Sequence, residues 1–301
     1  MSKPLTVGSL FAGIGGLELG LERAGMEIKW QVEIDDYANR VLERHWPKVQ
    51  RWGDIRTFPT NPEGQWFVDV ISAGVPCQPI STIGKQKSTK DQRWLWGDFL
   101  RVVATLTPKY VLVENPRGLL SDDKGRTFAG ILCAMDGIGY DVQWGTIGAE
   151  DLGAAHERRR VFLVAYKTTS GVGQVGGNGR SISGMAGVCE WGSDRYRNTG
   201  RLCRLFPERM DLQVPNADGG RLQDLYGNVA QGEETNASIA SNSHWTAGTS
   251  VSRVAHGVPK RVDRLRCLGN AVVPQVAEVF GRYIVDMERR RTEENAHHAA
   301  D

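Results

Sequence analysis

Short apolar runs alternate with helically spaced apolar positions along residues 5–165, and the alternation predicts an α/β fold. Residues 5–10 form the first apolar run and break into Phe11-Ala12-Gly13-Ile14-Gly15-Gly16. Apolar residues at 17, 21 and 24 follow at helical spacing. Residues 28–32 read as a second strand ending at Glu33-Ile34-Asp35, and residues 37–45 as a helix. Residues 49–52 form a short strand that meets Gly53-Asp54-Ile55. The run at 68–71 breaks at Gly74 and Pro76. Helices are predicted at 94–106 and 127–135, and strands at 110–113, 140–147 and 161–165.

The texture changes at residue 167. Gly, Ser, Asn and Thr dominate to about 250, and periodicity fades. Trp191, Leu202, Leu205, Phe206 and Trp245 still offer apolar anchors. Tyr196, Arg197, Arg201, Arg204 and Arg209 give a basic, aromatic-bearing surface of the kind that suits DNA grooves and suits a linker equally. Order returns with helical character at 258–268, a Gly269-Asn270 turn and a helix at 275–288. Residues 289–301 are polar and predicted to fray.

Composition narrows the class. The 301 residues, 40% of them apolar, suffice for a large core. A formal net charge of +2 neither demands nor excludes nucleic acid, because one cleft can be basic within a neutral whole. Cys77, Cys133, Cys189, Cys203 and Cys267 are odd in number and lack close spacing, which argues against a disulfide framework and a zinc site. No signal peptide and no apolar run near 18 residues is visible, so a cytoplasmic protein without a membrane span is expected.

Candidate chemistry gathers at predicted strand ends. Pro76 and Pro79 stiffen the backbone around Cys77, where open α/β sheets place reactive groups. The glycine turn at 11–16 permits close approach of a ligand to backbone, and Glu33 lies at the interval expected for a ribose-binding acid. Asp54 and Glu114 are carboxylates at further strand ends, and Arg158 and Arg160 border a core strand. Lys85, Lys87, Lys90 and Arg93 make residues 82–93 either a solvated loop or a lid over phosphates.

Gly74-Val75-Pro76-Cys77-Gln78-Pro79-Ile80-Ser81 resembles the Pro-Cys-Gln nucleophile motif of the DNA (cytosine-5)-methyltransferases. Residues 11–16 match that family's Phe-Ala-Gly-x-Gly-Gly turn, Glu114-Asn115-Pro116 is close to its Glu-Asn motif, and Arg158 and Arg160 fit its Arg-x-Arg. Two departures are His156, where Gln is common, and Ala155, where proline often stands. Gly269–Val272 match the family's Gly-Asn-x-Val turn.

The resemblance implies a Rossmann-like, mostly parallel sheet with one antiparallel strand, and a small irregular target-recognition domain. It divides the chain into a catalytic and cofactor-binding part (1–166), a target-recognition region (167–257), a C-terminal segment packing back (258–288) and a tail (289–301). It implies S-adenosylmethionine as cofactor, with Phe11 on the adenine, Glu33 on the ribose and Asp54 on the adenine amine. Ala12, Gly13, Ile14, Gly15, Gly16, Ile34, Ile55, Pro76, Asn270, Ala271 and Val272 complete that expected site, Ile55 lying on the ring. Cys77 becomes the nucleophile, Glu114 the group facing cytosine N3, and Arg158 and Arg160 its braces. Double-stranded DNA is the implied partner of a monomer, beside a cognate restriction endonuclease where one shares the system. An RNA cytosine-5 methyltransferase and a catalytically inactive DNA-binding protein of the same fold are the alternatives. A nicotinamide oxidoreductase would need a dinucleotide glycine spacing that Gly13, Gly15 and Gly16 do not provide.

Overall fold

The computed structural model describes residues 3–59, 65–76, 95–154, 156–167 and 260–298. Among these, seven strands form one sheet: β1 (Thr6–Leu10), β2 (Glu27–Val32), β3 (Gln50–Trp52), β4 (Val70–Ala73), β5 (Tyr110–Pro116), β6 (Tyr140–Ile147) and β7 (Arg160–Lys167). The α-helices among them are α1 (Gly16–Arg23), α2 (Asp36–His45), α3 (Trp96–Leu106), α4 (Arg126–Gly137), α5 (Arg261–Asn270) and α6 (Pro274–His298). The sheet order is β3-β2-β1-β4-β5-β7-β6, and β7 alone runs antiparallel to its neighbours. The expected α/β sheet, mostly parallel with one antiparallel strand, is therefore present. Cys77, the loop at 82–93, Ala155 and the interval 168–259, with all its arginines, lie outside the described residues.

Strand alternation sends neighbouring side chains to opposite faces, so both faces of the sheet need a cover. Val7, Val70 and Leu112 pack with Leu17 and Leu21 of α1 and with Val276, Phe280 and Ile284 of α6. Ile71, Val111 and Val113 pack on the other face with Phe99 and Val102 of α3 and Ile131 of α4. Near-continuous apolar strands such as Val70-Ile71-Ser72-Ala73 follow from this two-sided burial.

α6 ties the end of the described chain to its beginning. It lies so close to α1 that a Cβ on Gly20 would stand 2.4 Å from the Pro274 carbonyl oxygen. Phe280 stacks on Phe162 of β7 with ring centroids 4.4 Å apart. At the opposite end of the sheet, Lys109 pairs with Asp69 at 3.2 Å and with Glu288 of α6 at 2.7 Å.

Three local expectations change. β5 runs past Val113 through Pro116, because Glu114 and Asn115 find partners in Phe162 and Val161 of β7. Gly269 and Asn270 belong to the last turn of α5, so the turn itself begins at Ala271. The polar segment after 288 continues α6 to His298 instead of fraying. Asp286 pairs with Arg289 and Arg290, and Arg289 with Glu293, at helical i,i+3 and i,i+4 spacings that support an exposed helix.

Candidate active site

The connections leave β1 and β4 toward opposite halves of the sheet, so the carboxyl ends of these two strands open a crevice. The parallel strands bring five stretches to this one edge. They are the glycine turn after β1, Glu33 after β2, Asp54 after β3, Gly74-Val75-Pro76 after β4 and Glu114 near the end of β5. The sequence motifs thus converge because of strand direction, although they are spread over a hundred residues.

Glu33 organises the glycine turn. Its Oε2 accepts a hydrogen bond from the Gly13 amide at 2.7 Å and its Oε1 accepts one from the Asp35 amide at 2.8 Å. Burial raises its pKa, against the lowering effect of these amide donors. Phe11 adopts φ 57, a left-handed conformation rare outside glycine that concentrates at functional turns. Gly13 also has positive φ, and no atom lies within 4 Å of where its Cβ would be. Ala12 and Gly15 close the turn through amide bonds, Ala12 to the Val32 oxygen and Gly15 to the Ala12 oxygen. Ile14 is half-buried beside them.

Gly16 meets the C-terminal segment. A Cβ there would stand 2.3 Å from the Val272 carbonyl oxygen, so any side chain would force the two apart. Val272 is half-buried, Ala271 donates its amide to the Cys267 oxygen at 2.9 Å, and Asn270 is exposed at the end of α5. Arg266 of α5 reaches Asp35 at 2.6 Å, which fixes α5 to the same rim.

Of the three isoleucines of the expected cofactor site, Ile34 and Ile55 differ most from each other. Ile34 is 66% exposed, whereas Ile55 is 3% exposed and packs in the core with Trp30 and Phe58. Asp54 caps a short helical turn and is held by Arg56, whose guanidinium bonds keep its carboxyl below the usual carboxylate range.

Glu114, Arg158 and Arg160 line one cleft with Phe162, Val272, Val273 and Val276. Glu114 is 6% exposed, and Arg160 Nε stands 3.1 Å from its Oε1. That approach is an ion-pair contact without the alignment of a hydrogen bond. Burial outweighs both arginines and pushes the Glu114 carboxyl up to about 7. A carboxylic acid that is half protonated near neutral pH can donate as well as accept. Arg158 donates Nη1 to the Gly269 oxygen at 2.8 Å, and its amide donates to Glu150 Oε2 at 3.0 Å. Burial lowers its pKa, and Arg160 beside it adds to the effect. Pro76 is half-buried where β4 leads toward Cys77, which lies outside the described residues.

Two features escaped the sequence reading. Asn115 is fully buried and donates Nδ2 to the Val75 oxygen at 2.9 Å, so β5 fixes the chain two residues ahead of Cys77. Its place between Glu114 and Pro116 was the signal available. The other is Glu18, wholly buried beneath the glycine turn, whose helical position gave no warning. No cluster of metal-ligating side chains occurs among the described residues, and no described helix is long and apolar enough to cross a membrane.

The chain is 36% identical over 167 residues to the type II methyltransferase M.HgiCII of Herpetosiphon aurantiacus, covering 54% of this chain and 37% of that protein. It is 36% identical over 168 residues to the type II methyltransferase M.NgoPII of Neisseria gonorrhoeae, covering 54% and 48%. The chain thus spans about half the length, or less, of these curated relatives. Among solved structures, the Dnmt2 methyltransferase of S. pombe aligns with a TM-score of 0.44 at 20% identity, covering 56% of this chain and 50% of that one. The model of the C-5 cytosine-specific DNA methylase family matches residues 5–187, well over half of the chain. By that match, the chain belongs to the C-5 cytosine-specific DNA methylase family.

Proposed function

We propose that the protein transfers a methyl group from S-adenosylmethionine to C5 of a cytosine within a specific double-stranded DNA sequence. The observation that carries this reading is the buried Glu114 carboxyl, poised near neutrality, facing Arg160 in the cleft that also holds Arg158. A neutral-leaning acid beside two guanidinium groups suits a cytosine edge, which presents N3 and O2 as acceptors.

The crevice suits the cofactor. Gly13 leaves open space at positive φ, Glu33 is a fixed acceptor beside it, and Ile34 offers an exposed apolar face. Phe11, Ala12, Ile14, Gly15 and Gly16 would form the turn around the ligand, with Pro76, Asn270, Ala271 and Val272 along its rim. Asp54 would take the adenine amine, through the carboxylate edge that Arg56 orients. Ile55 would support that edge from the core. S-adenosylmethionine, when bound, supplies an electrophilic methyl group on a sulfonium.

Cytosine C5 is a weak nucleophile until a group adds at C6. Cys77, as thiolate, would add there, and only that ionised form attacks; after methyl transfer, loss of the C5 proton to water would expel the thiolate and return the N3 proton to Glu114. Glu114, protonated, would donate to N3 as negative charge develops, a contribution typically of about 10²–10⁴-fold. Arg160 would brace O2, and Arg158 would hold the cleft to the C-terminal segment. The base must leave the duplex, at a cost of roughly a few kcal/mol. The interval 167–257 would read the target sequence, and one flipped base per site is consistent with a monomer. A cognate restriction endonuclease would be the partner in a restriction-modification system.

Bisulfite sequencing of plasmid DNA from cells expressing the protein tests the proposal. Protected cytosines confined to one sequence context support it. A methylation pattern identical to that of control cells refutes it.

A further inference from the structure

Beneath the glycine turn lies a row of buried polar groups that the mechanism above does not use. Ser9 of β1, Gln31 of β2 and Ser72 of β4 are register neighbours across the sheet, each 0% exposed. Ser9 shares a face with Val7, the face that α1 covers. Glu18, in the first turn of α1, sits on this row at 0% exposure with its carboxyl beside the Ser9 hydroxyl. The side-chain oxygens and nitrogen of these four residues have no hydrogen-bond partner among the described residues. Burying so many unsatisfied groups costs roughly 1–3 kcal/mol each. Ser9 lies two residues before the glycine turn and Glu18 two residues after it, so this cost falls directly beside the turn and points to function.

Electrostatics gives the row a direction. The titratable groups that act on Glu18 are Glu33, which holds the glycine turn, and Glu22, one turn along α1. Both are acids, so each opposes its ionisation. Burial is the larger cause: it pushes the Glu18 carboxyl up to about 7, against the lowering effect of the helix backbone and the Ser9 hydroxyl, and the two acids add to it. What would reverse the balance is a positive charge brought into the crevice, since a nearby cation favours the charged form of a carboxylic acid. The low polarizability of a buried site strengthens that coupling.

We propose that Glu18 is the proton-linked counterpart of the cofactor's positive charge. Its carboxyl keeps its proton when the crevice is free or holds a neutral thioether, and releases that proton to solvent when a sulfonium-bearing ligand binds. The inference rests on the reading of S-adenosylmethionine as cofactor. It goes further, because it makes the preference for methyl donor over demethylated product depend on pH through one buried residue. That preference should grow as pH rises, by at most about tenfold per unit, the limit set by one proton.

The test is calorimetric titration of the full chain at pH 7 with S-adenosylmethionine and with S-adenosylhomocysteine, in buffers of different ionisation enthalpy. The slope against buffer enthalpy counts released protons. For a group half protonated near 7, the sulfonium should release about half a proton more from wild type than from Glu18→Gln. The thioether should give equal counts in both proteins. Equal counts for wild type and Glu18→Gln with the sulfonium ligand would overturn the inference while leaving the functional reading intact. Should Glu18→Gln fail to fold, carbon-13 detection of glutamate carboxyls in the wild type decides the matter. A buried carboxyl titrating near neutrality must then shift down with the sulfonium and stay put with the thioether, and any other pattern overturns the inference. Binding of neither ligand would refute the functional reading and this inference together.

Discussion

Arg160 Nε lies 3.1 Å from Glu114 Oε1, and the antiparallel pairing of β7 with β5 puts them there. In register, Arg160 opposes Pro116, so its side chain reaches back two positions to the acid. The pair does not ionise Glu114 fully, because burial outweighs the cation. Glu114 remains a proton donor near pH 7, with a guanidinium ready to balance whatever charge develops beside it.

Replacing Glu114 should expose that role. Glu114→Gln keeps the shape and a donor but cannot transfer a proton, and single-turnover methylation should fall by about 10²–10⁴-fold. Cofactor affinity, measured calorimetrically, should hold. A variant within a few-fold of wild type would remove Glu114 from proton transfer.

The same residue predicts a pH signature in stability. Its folded pKa, about 7, is raised above the ordinary value of 4.5, so between those values the folded state binds more protons than the unfolded state. Stability from this group is therefore greatest below about 4.5 and declines as pH rises to about 7 and beyond. The full decline is on the order of 3 kcal/mol. Denaturant melts at pH 5 and pH 8 should show a smaller drop for Glu114→Gln than for wild type; parallel drops would contradict the burial argument.

Cys77→Ser should abolish methyl transfer and leave cofactor binding in place, because only a thiolate adds readily at C6. A target duplex carrying 5-fluorocytosine should trap a denaturant-resistant complex with wild type, since fluorine cannot depart as a proton does. Near-normal turnover by the serine variant would sink the nucleophile assignment.

Asn115 should matter for the loop it anchors. Asn115→Ala removes the donor to Val75 and strands a buried carbonyl, costing about 1–3 kcal/mol. As a positioning residue it should lower the rate of methylation at saturating substrate more than it weakens cofactor binding. Equal loss in a thermal melt with an unchanged rate would mark it as structural only.

Contact between the two ends of the described chain can be tested at Gly16 and Phe280. Gly16→Ala sets a methyl against the Val272 carbonyl and should weaken cofactor binding by more than tenfold, about 1.4 kcal/mol or more. Phe280→Ala leaves a cavity beside Phe162 and should cost about 3–5 kcal/mol in denaturant melts. Wild-type affinity in the first variant would separate the C-terminal turn from the cofactor crevice.

The sequence by itself determined the elements and their order, because period and turn chemistry are local. Short apolar runs marked strands and 3.6-residue spacing marked helices, and glycine, proline and strand-end acids marked the turns between them. Glu33 and Glu114 were legible for the same reason, each standing where an apolar run stops. Burial is not local, and there only the tertiary structure decided. Ile34 and Ile55 each follow a strand-end acid, yet one is exposed and the other packs against Trp30 and Phe58 from other parts of the chain. Glu18 sits one position from the apolar stripe of its helix, and its burial depends on Ser9, Gln31 and Ser72 lying side by side across three strands. The contact of Gly16 with Val272 and the bond from Asn115 to Val75 join stretches far apart in sequence. Such contacts exist only once the sheet order has set which strand ends meet, and no short-range pattern encodes that order.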